Sequence, residues 1–399
     1  MSIYDELGVK PIINATGSVT RLGGAPMPAE VVRAFADAAQ LAVPIEQLQG
    51  AASRIIAEIT GAEAGLVTAG AAAALTLGTA AILTGFDAGR MEKLPHCDGF
   101  PHEFVVAREQ RNGYDHAVRA AGARLIEVGF DEIACNAGVR RTEAWEYEAA
   151  FGSNTAGVLY VQSPTSRPTL AEVVAVAHRR NLPVIVDAAA ELPPRRNLRD
   201  LIATGADLIT FSGGKALRGP QATGILCGRR DLVGAAALQM LDMDDHAELW
   251  QPPPELIDRK RLTGMPRHGI GRGFKVSKEE IVALLTALRL FASGAYAPIV
   301  AAYRPRLDRL AAALKGLAAN SVIQDRGDAE SFPTLVIHVD ESALGHNATE
   351  VCRRLRAGDP PIYVGHARLA EGRLVIHPLH LDDAMIEILS RRLLEELKV

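Results

Sequence analysis

Between about residues 60 and 245 the chain alternates short β-branched runs with helical stretches, and this alternation restricts it to a mostly parallel sheet covered on both faces. The expected strands are Gly65–Ala69, Phe104–Arg108, Arg124–Val128, Gly157–Gln162, Val184–Asp187, Asp207–Ser212 and Thr223–Cys227. Helices are expected between them over Ala71–Leu83, Tyr114–Ala121, Thr142–Phe151, Leu170–Arg180 and Leu198–Thr204, each bounded by Gly, Pro or a capping residue. The link joining the last two strands is too short for a crossover helix, so those two are expected to run antiparallel.

After residue 245 the texture turns polar and rich in proline and glycine, DMDDHAELWQPPPELIDRKRLTGMPRHGIGRGFK, which reads as a functional loop or a linker. Periodic helices Lys278–Phe291 and Tyr303–Leu317 follow, then strands Thr334–Val339 and Leu374–His377 and helices Ala348–Arg356 and Asp382–Leu397. The expected organisation is an N-terminal segment, 1–45, joining a smaller α+β domain at 266–399, around a large α/β domain at 46–265.

The bulk numbers exclude several function classes. With 399 residues, 48% of them hydrophobic, the chain can bury a large core or two coupled ones. Lys+Arg 43 against Asp+Glu 47 leaves a formal net charge of -4, without the footprint of a nucleic-acid binder. Cys97, Cys135, Cys227 and Cys352 lie far apart with no Cys-x-x-Cys pair, so neither a disulfide framework nor a structural zinc site is expected. A reducing cytoplasm fits, and the acidic start MSIYDELGVK has no apolar signal core. The uncharged segment Ala64–Phe86 has the length of a bilayer span but is built from Ala, Gly and Thr, so a buried strand, turn and helix is expected and no membrane contact.

The stretch TFSGGKALRGPQATG sets Lys215 behind two glycines at the carboxyl end of an apolar strand, where open α/β sheets bind ligands. It is not a P-loop, since Ile209 stands where the first glycine is needed and Ala216 follows the lysine. A lysine forming a Schiff base with pyridoxal phosphate makes further demands, and the chain meets them. A carboxylate must keep the pyridine nitrogen protonated, and Asp187 ends a β-branched strand 28 residues before Lys215. The phosphate needs amide donors at a helix start, which Gly70 and Ala71 offer, with the Ser212 hydroxyl in reach. Gly213 and Gly214 are read as letting the backbone approach the phosphate and the lysine swing.

The segment SGGKALRGPQATGILCGRRDL resembles the cofactor-lysine region of the bacterial selenocysteine synthase family, the L-seryl-tRNA(Sec) selenium transferases, through Lys215, Gly219, Pro220 and Gln221. YDELGVKPIINATGSVTRLGG, ITGAEAGLVTAGAAAAL, RNGYDHAVRAAGARLIEVG and NLPVIVDAAAELPP extend the resemblance over nearly the whole chain, most like the branch related to D-glucosaminate-6-phosphate ammonia-lyase. The resemblance implies a fold type I pyridoxal-phosphate enzyme, a homodimer or higher oligomer with sites at the subunit interface. Lys215 carries over as the cofactor lysine, Asp187 as the ring partner, and Gly70, Ala71 and Ser212 as the phosphate cup. The chain enters the family pattern within its first dozen residues, without the extra tRNA-binding region of the selenium transferases, and its last strand reads RLVIHPLHL rather than Asp-Leu-Arg. A small amino acid or amino sugar acid is therefore expected as substrate, not a nucleic acid.

The expected reaction is α,β-elimination giving a 2-oxo acid and ammonia, with Lys215 as base and His116 or Tyr114 as acid or ring-stacking group. Arg218, Arg272 and Arg368 are the candidate grips for an acidic substrate. His96, Cys97, Asp98 and His102 are read as an incidental cluster, and no metal is assigned. Racemase, aldolase or aminotransferase chemistry on the same carbanion is the alternative, and a cofactor-binding protein without turnover is a second.

Overall fold

The computed structural model describes residues 2–130, 141–325, 327 and 330–399; Cys135 lies outside them. The chain divides into two compact units, Met27–Ala292 and Met1–Pro26 with Ser293–Val399. The divisions expected near 45 and 265 fall elsewhere, for a packing reason. The Ala29–Ala39 helix buries Val31 against Ala283 and Ala287 of the Lys278–Ser293 helix, which assigns both helices to the larger unit.

The larger unit is built on a seven-stranded sheet. Numbered along the chain, its strands are β1 (Ala64–Thr68), β2 (Glu103–Ala107), β3 (Arg124–Val128), β4 (Thr155–Val161), β5 (Val184–Asp187), β6 (Leu208–Ser212) and β7 (Gly224–Gly228). The order is β1-β7-β6-β5-β4-β2-β3, parallel throughout except for β7, which runs antiparallel to both neighbours. The short β6–β7 link thus has the expected consequence.

The uncharged segment resolves into β1 and the Ala71–Thr84 helix, buried on nearly all sides. Its small residues allow a close approach to the sheet: a Cβ on Gly78 would fall 2.6 Å from Ile185 Cδ1 and 3.2 Å from Leu208 Cδ1. The Arg230–Met240 helix packs beside it, and Leu170–His178 covers β4. No single helix among the described residues is long and apolar enough to cross a membrane.

The outer edge of β1 is satisfied by side chains. From the Ile45–Thr60 helix, Gln49 gives Nε2 to the Val67 carbonyl at 2.9 Å and takes the Val67 N–H on Oε1 at 3.1 Å, while Ser53 Oγ takes the Gly65 N–H at 3.1 Å. At the amino ends of β5 and β6, buried Asp207 accepts from Val184 N–H at 2.8 Å, His178 Nε2 at 2.9 Å and Arg229 Nη1 at 2.9 Å.

The proline- and glycine-rich passage contains two short 3-10 turns, Arg259–Arg261 and Ile270–Phe274. Gly269 and Gly271 press on the Arg230–Met240 helix, where a Cβ would fall 2.5 Å from Gln239 Cα and 3.0 Å from the Gln239 carbonyl oxygen respectively. This docking explains Gly269 and Gly271 of RHGIGRGFK, whereas a Cβ on Gly273 would meet nothing within 4 Å.

In the smaller unit, Thr334–Val339 is the middle of a three-stranded antiparallel sheet between Arg373–Ile376 and Ala319–Gln324. The N-terminal segment enters through Ile13–Ala15, paired in parallel with Ile362–Val364. Leu307, Leu310, Val351, Leu355, Leu389 and Leu393 of the surrounding helices fill its core.

Candidate active site

The carboxyl ends of β1 and β6 and the amino end of the antiparallel β7 bring Thr68, Ser212 and Gly224 into line, because Gly224 is the register partner of both others. Just beyond Thr68, Gly70 takes the left-handed backbone region (φ +91°) and caps the Ala71–Thr84 helix with no side-chain oxygen of its own. The first-turn amides of that 14-residue helix therefore face the sheet end without a capping side chain. Gly224 makes this possible: a Cβ on it would stand 2.4 Å from the Gly70 carbonyl carbon and 2.6 Å from the Ala71 nitrogen. The structure thus gathers Gly70, Ala71 and Ser212 around Gly224.

Lys215 projects from a turn that closes on itself. Gly213 N–H donates to the Thr223 carbonyl at 2.8 Å, Gly219 N–H to the Gly213 carbonyl at 2.9 Å, and Arg218 N–H to the Lys215 carbonyl at 3.0 Å. Here the glycines serve packing of chain on chain. A Cβ on Gly213 would fall 2.1 Å from Thr223 Oγ1, and one on Gly214 would fall 2.5 Å from Gln221 Cα. That differs from the freedom expected for the lysine, and the consequence is a fixed base beneath a long flexible side chain.

Asp187 ends β5, next to β6, with Thr210 as register partner. It is buried, and its Oδ1 accepts from Ala189 N–H at 3.0 Å. Burial pushes its carboxyl above the usual carboxylate value, against the Ala189 N–H and the Lys215 charge, which pull it down. Burial likewise lowers the Lys215 ammonium, opposed by Asp187 and Glu191. The two side chains therefore lie within each other's field in one partly desolvated place. A lysine with a depressed pKa carries more of the neutral amine that attacks carbonyls and takes up protons.

The remaining candidates are more scattered. Arg218 is half-buried in the Lys215 turn, in the left-handed region at φ 60°. Arg272 lies in the larger unit and forms an ion pair with Asp242. Asp242 is held at about 2 by the Asp244 N–H first, then by Arg272 and His268. Arg368 belongs to the smaller unit, ion-paired to Glu371 at 2.8 Å. Tyr114 and His116 are exposed on this chain, and His116 Nδ1 lies 3.1 Å from Arg119. His102 Nδ1 sits 3.1 Å from the Phe100 carbonyl, and Cys97 Sγ lies 3.6 Å from that of Pro95. Among the described residues, the metal-ligand types brought together are instead Asp242, Asp244 and His268, all exposed.

Gly224 and Glu191 were not singled out from the sequence, nor was Gln110, which caps β4 by accepting the Val161 N–H at 2.9 Å. No local pattern marks any of the three, because each matters through a strand or turn distant along the chain.

A family model described as SelA: L-seryl-tRNA selenium transferase matches residues 115–243. The chain is 33% identical to a 5'-C-glycyluridine monooxygenase-decarboxylase of Streptomyces sp, over 98% of this chain and 91% of that one. It is 30% identical to the D-glucosaminate-6-phosphate ammonia lyase of Salmonella typhimurium, over 99% and 97%. The chain belongs to the SelA family. A solved D-glucosaminate-6-phosphate ammonia-lyase superposes with a TM-score of 0.80 at 30% identity, covering 100% of this chain and 98% of that one. At 12% identity and a TM-score of 0.52, a serine palmitoyltransferase from S. paucimobilis with bound PLP shares the fold, covering 96% of this chain and 86% of that one. The SelA-family chain therefore has the fold of type I pyridoxal-phosphate enzymes. Its residues fit that group: a buried carboxylate one strand from a lysine with a depressed pKa, and a helix start kept bare by Gly224.

Proposed function

We propose that the protein is a pyridoxal-phosphate-dependent lyase that removes the elements of ammonia from a 2-amino-3-hydroxy acid, an amino acid or amino sugar acid, leaving the 2-oxo acid. The observation that carries this is the mutual field of Lys215 and Asp187 at the carboxyl end of the sheet, beside the bare helix start at Gly70. Bound there, the cofactor supplies an electron sink for the carbanion left when an α-proton departs. In this reading Asp187 holds the ring nitrogen cationic, and the amides of the Gly70–Ala71 turn with the Ser212 hydroxyl hold the phosphate. The Lys215 amine takes the α-proton. The hydroxyl leaves as water from the adjacent carbon, and water returns when the product is hydrolysed to 2-oxo acid and ammonium, so that no redox partner is needed.

Arg218 is favoured to meet an anionic substrate group, since it shares the Lys215 turn; Arg368 would have to exchange Glu371 for a substrate carboxylate. His116 is the proposed proton donor to the leaving group. A homo-oligomer in the cytoplasm completes the reading, and the free, buried Cys97, Cys227 and Cys352 support the reducing compartment. No metal, nucleic acid or membrane partner is invoked.

A second reading is favoured by the monooxygenase-decarboxylase relative at 33% identity: loss of the α-carboxylate instead of the β-hydroxyl. Racemisation and transamination would use the same two residues and the same Cα–H cleavage, differing in where the proton is returned, whereas aldol cleavage would break the Cα–Cβ bond instead.

The test starts from colour. Protein loaded with pyridoxal phosphate should be yellow, be bleached by borohydride and carry the label on Lys215. It is then offered 2-amino-3-hydroxy acids and amino sugar acids, with assays for ammonium, 2-oxo acid and carbon dioxide. Ammonium and 2-oxo acid in equal amounts support the lyase, and carbon dioxide supports the second reading. Label at any other lysine would overturn both.

A further inference from the structure

Gln110 ends the short turn Arg108–Gln110 that follows β2. The residue is 6% exposed, and Oε1 accepts the Val161 N–H at 2.9 Å. That bond also fixes the orientation of the amide, because a backbone N–H requires an oxygen opposite it. The nitrogen must then be the other atom, and Gln110 Nε2 is buried without a hydrogen-bond partner. Buried amide donors in native proteins find partners almost without exception, so an orphan of this kind points to a group the chain itself does not supply.

The position says where that group lies. Val161 is the last residue of β4 and the register partner of Asp187. The Gln162 N–H donates to the Asp187 carbonyl at 2.9 Å, tying the two strand ends together. Gln110 is thereby pinned at the carboxyl end of the strand adjoining Asp187, on the rim where the proposed cofactor and substrate would sit.

We propose that Gln110 Nε2 is a ligand-binding donor, giving its hydrogen bond to an acceptor oxygen of the small molecule held beside Asp187. This rests on the function proposed above and adds a polar contact to it. The oxygen belongs either to pyridoxal phosphate or to the acidic substrate, and the experiment separates the two. The rival role is a cap for Val161 and nothing more.

Gln110→Glu keeps an oxygen for the Val161 N–H and removes both amide donors, whereas Gln110→Met removes the cap as well. Cofactor-free protein is melted, its dissociation constant for pyridoxal phosphate is measured by dialysis, and KM and kcat are measured on the loaded enzyme. The expected result for both variants is binding weakened by about tenfold, the loss of one hydrogen bond to a charged group, and the same weakening in Q110M, which buries no new charge, traces it to the lost donor rather than to an added carboxylate. Weakening in the cofactor dissociation constant assigns the oxygen to pyridoxal phosphate. Weakening in KM alone, with cofactor affinity and kcat kept, assigns it to the substrate. Wild-type cofactor affinity and KM in Q110M, with a lowered Tm, would overturn the proposal in favour of the cap. If the Glu variant does not fold, Q110M decides, and wild-type cofactor affinity and KM there overturn it equally. A wild-type protein that takes up no pyridoxal phosphate would instead sink the parent function.

Discussion

Gly224 lies so close to Gly70 that a single added carbon would stand 2.4 Å from the Gly70 carbonyl carbon. Both partners in this contact are backbone, so a methyl group cannot be accommodated by a rotamer change. Gly224→Ala is expected to push the Gly70–Ala71 turn off the sheet end, weakening pyridoxal-phosphate binding more than tenfold and costing about 1–3 kcal/mol of stability. Cofactor titration and chemical denaturation of the variant measure the two effects. Retention of both would show that the helix start does not depend on this contact.

Asp187 sets function against stability. Burial raises its carboxyl above the unfolded value of 3.8, so the folded cofactor-free protein holds that proton more tightly than the unfolded chain. Its stability therefore falls as pH climbs from about 3.8 through the raised folded value and stays reduced above it. Asp187→Asn has no charge to bury, and its amide oxygen can still accept from Ala189. It should be more stable than wild type at neutral pH without cofactor, by a margin that shrinks toward pH 4, while turnover drops by about two orders of magnitude. Melting curves across pH, paired with kcat, provide the check.

At the opposite ends of the strands, Asp207→Ala removes the acceptor for the buried Val184 N–H. His178 and Arg229 are substantially exposed and can turn to water. The cost should therefore be that of the stranded amide and its lost bonds, about 1–3 kcal/mol. Pyridoxal-phosphate affinity should be unchanged. A large loss of affinity would mean that the amino ends of β5 and β6 control the site at their carboxyl ends.

Gln49→Leu keeps the volume of the side chain and strips both polar groups of Val67 of their partners. Destabilisation of about 2–4 kcal/mol is expected. Hydrogen exchange at the Val67 amide should accelerate ahead of exchange in β5 and β6. Equal protection of Val67 in variant and wild type would argue that the strand needs no such partner.

These four residues mark what the sequence alone could convey. The placement of Asp187 and Lys215 was legible because Asp187 ends one apolar β-branched run and Lys215 follows another, at the strand ends where such sheets bind ligands. The antiparallel turn of β7 followed from the length of one loop. Gln49 and Ser53 were not legible: their spacing marks them as the polar face of a helix, and only the edge of β1 makes that face a buried one. The Ile13–Ala15 and Ile362–Val364 strands are three residues each and pair across most of the chain, beyond the range of any local pattern. The packing reason for Gly213 and Gly214 was not legible, because the atoms they must avoid, on Thr223 and Gln221, belong to the far side of the same turn.

The Gln49 amide impersonates a neighbouring strand along the margin of β1. A sheet whose margin is already answered in this way gives another molecule no backbone to copy there, so fibre growth by that route is closed. The margin of β1 is therefore no place for further copies of this chain to add strands.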